Sequence, residues 1–188
     1  MSDADLVSLS AHPTTANQAV RRLAAAVEPT GPDSLCFRYM LEADPTHVRV
    51  PASVAHADRA DRLWTHTCFE AFVGLPQSPR YLELNFSPSG EWAAYRFESY
   101  REGMAPAELA APPRLVLRRS GAQLELQAEV RLSGTELAGS PRLRIALSTV
   151  VEDREGRLSY WALRHAPGRP DFHHPDSFAL ALELPATP

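Results

Sequence analysis

Gln123-Leu124-Glu125-Leu126-Gln127-Ala128-Glu129-Val130-Arg131-Leu132 alternates without a break. Leu124, Leu126, Ala128, Val130 and Leu132 fall on one side of an extended chain, and Gln123, Glu125, Gln127, Glu129 and Arg131 on the other. A period of two with one apolar side is the pattern of a half-buried strand. The β-rich run 114–119 precedes it, and Ser120-Gly121 between the two supplies the positive φ that a tight hairpin demands. An antiparallel pair follows.

The pattern recurs on both sides of this hairpin. Leu35, Phe37, Tyr39 and Leu41 alternate, as do Leu82, Leu84 and Phe86, after which Pro88-Ser89-Gly90 turns the chain into a strand over 92–97. Leu143, Ile145 and Leu147 begin another strand, Asp153-Arg154-Glu155-Gly156 makes a turn, 158–163 returns, and 178–184 closes the set. Strands at this spacing without intervening helices predict an all-β fold. The expected form is an antiparallel two-sheet β-sandwich, jelly-roll or immunoglobulin-like, with a barrel as the alternative. One short helix is expected over 17–27, where Val20, Leu23, Ala24 and Val27 fit helical spacing and alanine favours helix, a strand being the alternative there. The proline-rich segments 105–113 and 166–175 read as long loops within the domain.

Length and composition limit what the chain can be. Its 188 residues suit a single domain spanning 1–188, and an apolar share of 44% is ordinary for a globular protein. The net charge is −4, and the 19 basic residues are all arginines scattered singly or in pairs. No basic stripe follows a phosphate backbone, so no nucleic-acid partner is expected. The acidic, polar opening is the wrong chemistry for a signal peptide, and no apolar run approaches a membrane span, so no membrane partner is expected. Only Cys36 and Cys68 are present, which excludes a disulfide framework and makes a reducing cytoplasm the simplest compartment.

The stretch Trp64-Thr65-His66-Thr67-Cys68-Phe69-Glu70-Ala71-Phe72 carries the most chemical information. Extended throughout, it would place Trp64, His66, Cys68, Glu70 and Phe72 on one face, and Phe69, Ala71 and Val73 on a core face. An aromatic plate, an imidazole, a thiol and a carboxylate together suit a pocket wall; an edge strand with Glu70 in water is the competing reading. Tyr81, Glu83, Asn85 and Ser87 share a face of the next strand and could extend the wall, although alternating polar residues on a strand ordinarily face water.

Trp64, Trp92 and Trp161 are candidate plates for the C–H face of a sugar ring, with Glu70, Asn85, Arg96 and Arg101 as partners for its hydroxyls. The segment 164–175 adds three of the seven histidines and an aspartate, among them His165 and Asp171. Its spacing matches no known metal motif, and a zinc set with His66 and Cys68 requires the loop to fold onto their strand. Catalytic pairings of Glu70 with Glu83 or Asp171, or of Cys68 with His66, lack an elbow, an oxyanion motif or an assured hydrogen bond, so no catalytic residue is assigned.

Thr67-Cys68-Phe69-Glu70-Ala71-Phe72, Asn85-Phe86-Ser87-Pro88-Ser89-Gly90-Glu91-Trp92 and Tyr-Arg within 64–101, together with Ser159-Tyr160-Trp161-Ala162-Leu163 and Pro170-Asp171-Phe172-His173-His174-Pro175, give the chain a family likeness. It resembles bacterial DOMON-like proteins and, more loosely, DOMON domains and family-nine carbohydrate-binding modules. The resemblance implies a non-catalytic β-sandwich that binds a small ligand, a sugar or sugar derivative. It implies Trp64 and Trp161 as the two plates around a sugar, Glu70 on its hydroxyls, and Asn85 with Arg96 or Arg101 as looser matches. The modules' acidic calcium-binding segments have no counterpart here. Haem, held by side chains such as methionine and histidine, is the alternative ligand the resemblance offers, with Met40, Met104 and the histidines available. A metal-dependent or carboxylate-based enzyme acting on a small metabolite is the third reading.

Overall fold

The computed structural model describes residues 6–15 and 17–185. In chain order its strands are β1 (Val7–Ser8), β2 (Ser10–Ala11), β3 (Val20–Gly31), β4 (Ser34–Ala43), β5 (Val48–Arg49), β6 (Cys68–Gly74) and β7 (Tyr81–Phe86). They continue as β8 (Trp92–Phe97), β9 (Ala105–Pro106), β10 (Arg114–Ser120), β11 (Gln123–Arg131), β12 (Arg142–Asp153), β13 (Leu158–Ala162) and β14 (Leu180–Glu183). Short 3-10 turns lie at Leu63–Thr65 and Pro175–Ser177.

These strands form a two-sheet antiparallel sandwich. The smaller sheet runs β1-β3-β4-β11-β10 and the larger β2-β13-β12-β6-β7-β8-β9. Strand β12 is the spine of the larger sheet: β13 and β14 pair with its C- and N-terminal halves along one side, while β6 and β5 pair along the other. The expected hairpins are present. Ser120 pairs with Gln123 across Gly121, whose φ of 57° only glycine adopts freely, and Phe86 pairs with Trp92 across the turn that contains Gly90. The strand begun by Leu143 extends from Arg142 to Asp153, whose carboxylate accepts the Glu155 and Arg157 backbone N–H groups to hold the turn into β13. The segment 105–113 is not loop throughout, because Ala105–Pro106 pairs with β8.

The helix expected over 17–27 is strand β3 instead. A bulge between Val20 and Arg22 inserts one residue, so Val20, paired with Ala43, and Leu23, paired with Leu41, both reach the core although they stand three apart. That spacing imitates one turn of helix. The alanines at 24 to 26 are buried because β3 is flanked on both sides, by β1 and β4.

The main core lies between the sheets. Leu35, Phe37, Tyr39 and Leu41 of β4 and Leu124, Leu126, Ala128 and Val130 of β11 meet Phe69, Ala71 and Val73 of β6 and Leu143, Ile145 and Leu147 of β12. The larger sheet is also covered on its other face. There Phe72, Tyr81, Tyr95, Phe97 and Val150 pack with Phe172 in a second cluster, which the partly buried Trp64 and Tyr160 join. All seven residues of β6 and all six of β7 are consequently buried, where a half-buried strand would alternate.

Candidate functional site

The period of two in β6 sends Phe69, Ala71 and Val73 inward and Cys68, Glu70 and Phe72 to the outer face of the larger sheet. Cross-strand partners share a face. Glu70 therefore brings Asn85 of β7 and Ser148 of β12 to its side, Phe72 brings Glu83, and Glu83 brings Tyr95 of β8. Continuing outward, Ser148 pairs with Ala162 and Val150 with Tyr160 of β13. Polar residues of β7 that alternation would send to water are buried instead, with Glu83 4% and Asn85 0% exposed.

A cavity of about 650 Å³ opens on this face. Glu70, Glu83 and Val150 lie on its sheet side, and Trp64, Phe97, Tyr160 and Phe172 contribute aromatic rings. Arg101, Met104, Arg169 and His173 come from the connecting loops. Trp64 arrives from the 3-10 turn Leu63–Thr65, entered through Arg62 in the left-handed conformation, and its ring meets Tyr95 edge to face at 5.6 Å. The chain is thus not extended from Trp64 to Phe72: the strand starts at Cys68, and a turn rather than strand parity delivers Trp64 to the cavity.

The two carboxyls dominate the electrostatics. Glu70 is 3% exposed, and burial, reinforced by the nearby charge of Glu83, pushes its carboxyl well above the usual range. Its Oε1 is buried without a hydrogen-bond partner. Glu83 is pushed up to about 7 by burial, an effect moderated by a 2.8 Å hydrogen bond from Asn85 Nδ2 and by the Arg101 charge. The Cys68 thiol, raised by burial and by both carboxyls, donates weakly to Asn85 Oδ1 at 3.7 Å.

Beside them, the imidazole of His173 packs edge-on against Phe72 and Phe97, each at 5.0 Å. Burial and the Arg101 charge lower its pKa to about 4, so it is neutral near pH 7. Its Nε2 stands 3.7 Å from Glu83 Oε2, too long for a hydrogen bond, and the contact is therefore polar rather than an ion pair. The Arg101 backbone N–H donates to the Tyr81 hydroxyl at 3.2 Å, and that hydroxyl lies 2.8 Å from His173 Nδ1. With the phenol donating to Nδ1, the ring proton falls on Nε2, facing Glu83.

The segment 164–175 folds over this face and is latched there. Asp171 Oδ1 accepts from Arg101 Nη2 at 2.8 Å and Nε at 3.2 Å, and Oδ2 accepts from the Tyr100 hydroxyl. Burial alone would raise this carboxyl, but the Arg101 and Tyr100 hydrogen bonds and the guanidinium charge outweigh it and hold Asp171 low. Arg101 adopts a left-handed φ of 57°, which turns its backbone N–H toward Tyr81 while its side chain reaches Asp171.

Of the residues selected from sequence, Trp64, Glu70 and Arg101 line the cavity. Asn85 supports Glu83 on the same face, and Asp171 anchors the covering loop. The others lie elsewhere. Trp161 pairs with Thr149 and belongs to the core between the sheets, its Nε1–H donating to Ser159 Oγ at 3.1 Å; the ring turned toward the cavity is its neighbour Tyr160. Trp92 likewise packs on the main core, and Arg96, one residue out of phase with Tyr95, pairs with Glu98 at 3.0 Å in solvent. His66 is hydrogen-bonded to Glu152 at 2.8 Å, and His165 to the Ser10 carbonyl at 2.8 Å. Phe97, Tyr160, Phe172 and His173 were not assigned to the site; strand parity from Glu70 through the hairpins marks Phe97 and Tyr160, whereas Phe172 and His173, although they belong to the 170–175 motif, reach the cavity only through the way the loop closes.

The donor sets for zinc and haem do not fit. His66 and Cys68 are engaged separately, by Glu152 and Asn85, and no group of three or more His, Cys, Asp or Glu side chains able to hold a metal occurs among the described residues. Met40 is buried on β4 of the other sheet, and His173, the imidazole lining the cavity, has Nδ1 occupied by Tyr81 and Nε2 turned to Glu83. Met104 lines the same cavity, so a methionine–histidine pair for iron would have to form against the Tyr81 hydrogen bond and the Glu83 contact that fix the His173 ring.

Comparison with solved structures supports the fold. The chain is similar to a protein from Bacteroides uniformis to which carbohydrate binding has been ascribed, with a TM-score of 0.66 and 18% identity over 87% of this chain and 78% of that one. It is also similar to a family-nine carbohydrate-binding module from Caldicellulosiruptor kristjanssonii. In complex with glucose that module gives a TM-score of 0.53, 10% identity and coverage of 96% and 86%; in complex with cellotriose, 0.55, 13%, and 100% and 87%. At these identities the likeness is one of fold. No protein-family model and no curated protein matches the sequence.

Proposed function

We propose that this chain is a non-catalytic, DOMON-like binding domain that holds a carbohydrate in the cavity on the outer face of its larger sheet. The observation that carries the reading is the meeting of aromatic rings with an unsatisfied buried acceptor. Trp64 and Tyr160 line the same cavity as Glu70, whose Oε1 has no partner within the protein. A sugar presents C–H faces to the rings and hydroxyl donors to the carboxyl. Ligand cavities of this size, mostly apolar with a few placed polar groups, suit small molecules. The sandwiches that share this fold include a module solved with glucose and with cellotriose.

The placement of the carboxyls favours binding over hydrolysis. Glycosidases flank the scissile bond with their two carboxyls. Glu70 and Glu83 stand on adjacent strands of one sheet face and meet a ligand from the same side.

Titration calorimetry against mono- and oligosaccharides tests the proposal. Trp64→Ala and Tyr160→Ala should each weaken sugar binding by about tenfold or more, the loss of one stacking contact together with its buried area. Unchanged affinity in both variants, or no binding by any sugar in the panel, would refute it.

A further inference from the structure

We propose that the cavity selects a ligand bearing a primary ammonium group, an amino sugar, over the corresponding neutral sugar; the inference rests on the carbohydrate reading above. Three observations lead to it.

The first is the supply of acceptors. Glu70 and Glu83 are 3% and 4% exposed and lie diagonally on adjacent strands, since Glu70 pairs with Asn85 and Phe72 with Glu83. Of their oxygens, Glu83 Oε1 takes a hydrogen bond from Asn85, whereas Glu70 Oε1 takes none. An ammonium group carries three donors and no acceptor, so one group can serve both carboxyls. A hydroxyl brings one donor and no charge, so it cannot replace a proton in neutralising the pair.

The second is that the cation nearest the carboxyls does not bind them: Glu83 feels the Arg101 charge, but the guanidinium makes its hydrogen bonds elsewhere. The Arg101 side chain is committed to Asp171 through Nε and Nη2, and Arg169 stands exposed at the mouth. The remaining titratable neighbours, Cys68, Tyr81, Tyr160 and His173, are uncharged near pH 7, as is Tyr39 beneath the sheet. Without ligand, a proton is what neutralises the pair; a ligand cation takes its place.

The third is the wall. Trp64, Phe97, Tyr160 and Phe172 surround the space with rings whose faces carry partial negative charge, and a desolvated cation gains from them.

Calorimetry at pH 7 with D-glucosamine, D-galactosamine, D-glucose, D-galactose and N-acetyl-D-glucosamine tests the inference. One of the two amines should bind at least about tenfold more tightly than its neutral parent, and N-acetylation, which removes the charge, should abolish the gain. In a Glu70→Gln/Glu83→Gln double variant, which keeps the shape, amine and parent should bind alike. If that variant fails to fold, the ranking of the five ligands on the wild-type protein decides. Equal binding of amine and parent, or a preference that survives in the double variant, overturns the inference while leaving sugar binding in place. Binding by none of the five overturns the inference, and the carbohydrate reading falls with it when the oligosaccharides of the wider panel also fail to bind.

Discussion

His173 Nε2 faces Glu83 Oε2 at 3.7 Å, and burial drives the two groups in opposite directions on the pH scale. Glu83 titrates at about 7 against an ordinary 4.5, so the folded protein holds its proton more tightly than the unfolded chain and loses stability as pH rises through that window. His173 titrates at about 4 against an ordinary 6.5, so stability is lost as pH falls through its window. The His173 shift corresponds to roughly 3 kcal/mol; Glu83 shares its titration with Glu70, and for it the direction is the expectation. Urea unfolding at pH 4, 6 and 8 should show Glu83→Gln gaining on wild type as pH rises from 4 to 8. His173→Asn should gain on wild type as pH falls from 6.5 to 4. Variant and wild-type curves that run parallel would contradict the assigned burial of both groups.

Trp64 and Trp161 should separate binding from stability. Trp161 is 9% exposed within the main core, and truncation to alanine should cost about 3–5 kcal/mol of unfolding free energy. Trp64 lies on a 3-10 turn at the cavity and is only partly buried, so Trp64→Ala should cost about 1 kcal/mol or less while losing ligand affinity. Paired unfolding and binding measurements check this; the reverse assignment of effects would mean that Trp161 is the plate.

The latch at Asp171 should govern the covering loop more than the whole fold. Arg101 is half exposed, so its ion pair with Asp171 is screened, and Asp171→Asn should lower global stability by no more than about 1 kcal/mol. Asp171 also receives the His173 backbone N–H at 3.0 Å, and its carbonyl accepts from the Ser177 hydroxyl at 3.2 Å. Weakening this node should speed amide hydrogen exchange over 169–174 selectively and weaken sugar binding. Uniform acceleration across β6 and β12 would show a global effect instead.

Cys36 and Cys68 are both buried, on different sheets, and burial raises each thiol. The native protein should react with a thiol-specific reagent orders of magnitude more slowly than a free cysteine, and denaturant should release two equivalents. Rapid labelling of Cys68 in the native protein would contradict its packing against Asn85, and rapid labelling of Cys36 would contradict its burial on β4.

Strand alternation carried most of the fold. The hairpin of β10 and β11 and the inward face of β6 follow from side-chain period alone, because each has one face that the core must take. The reading failed over 17–27, where a bulge at Val20 replaces the period of two with a three-residue step. The site was harder to read for a related reason. With both faces of the larger sheet buried, Tyr160 and Trp161 look equally apolar in sequence, and only the pairing of Val150 with Tyr160 and Thr149 with Trp161 tells cavity from core. The contribution of His173 depends on how 164–175 closes over that face, a matter of long-range contacts with Tyr81 and Arg101.

The burial of β6 on both faces also constrains how such a domain can change by descent. A one-residue insertion or deletion within Cys68–Gly74 would exchange the two faces, carrying Phe69 into the cavity and Glu70 among the leucines of the core, where an unpaired carboxyl is several kcal/mol out of place. Ligand preference in proteins built this way should therefore diverge in the turn that presents Trp64 and in the segments around Arg101 and Phe172, which lie outside the paired strands. The strands that hold Glu70 and Glu83 can change residue by residue but not in register.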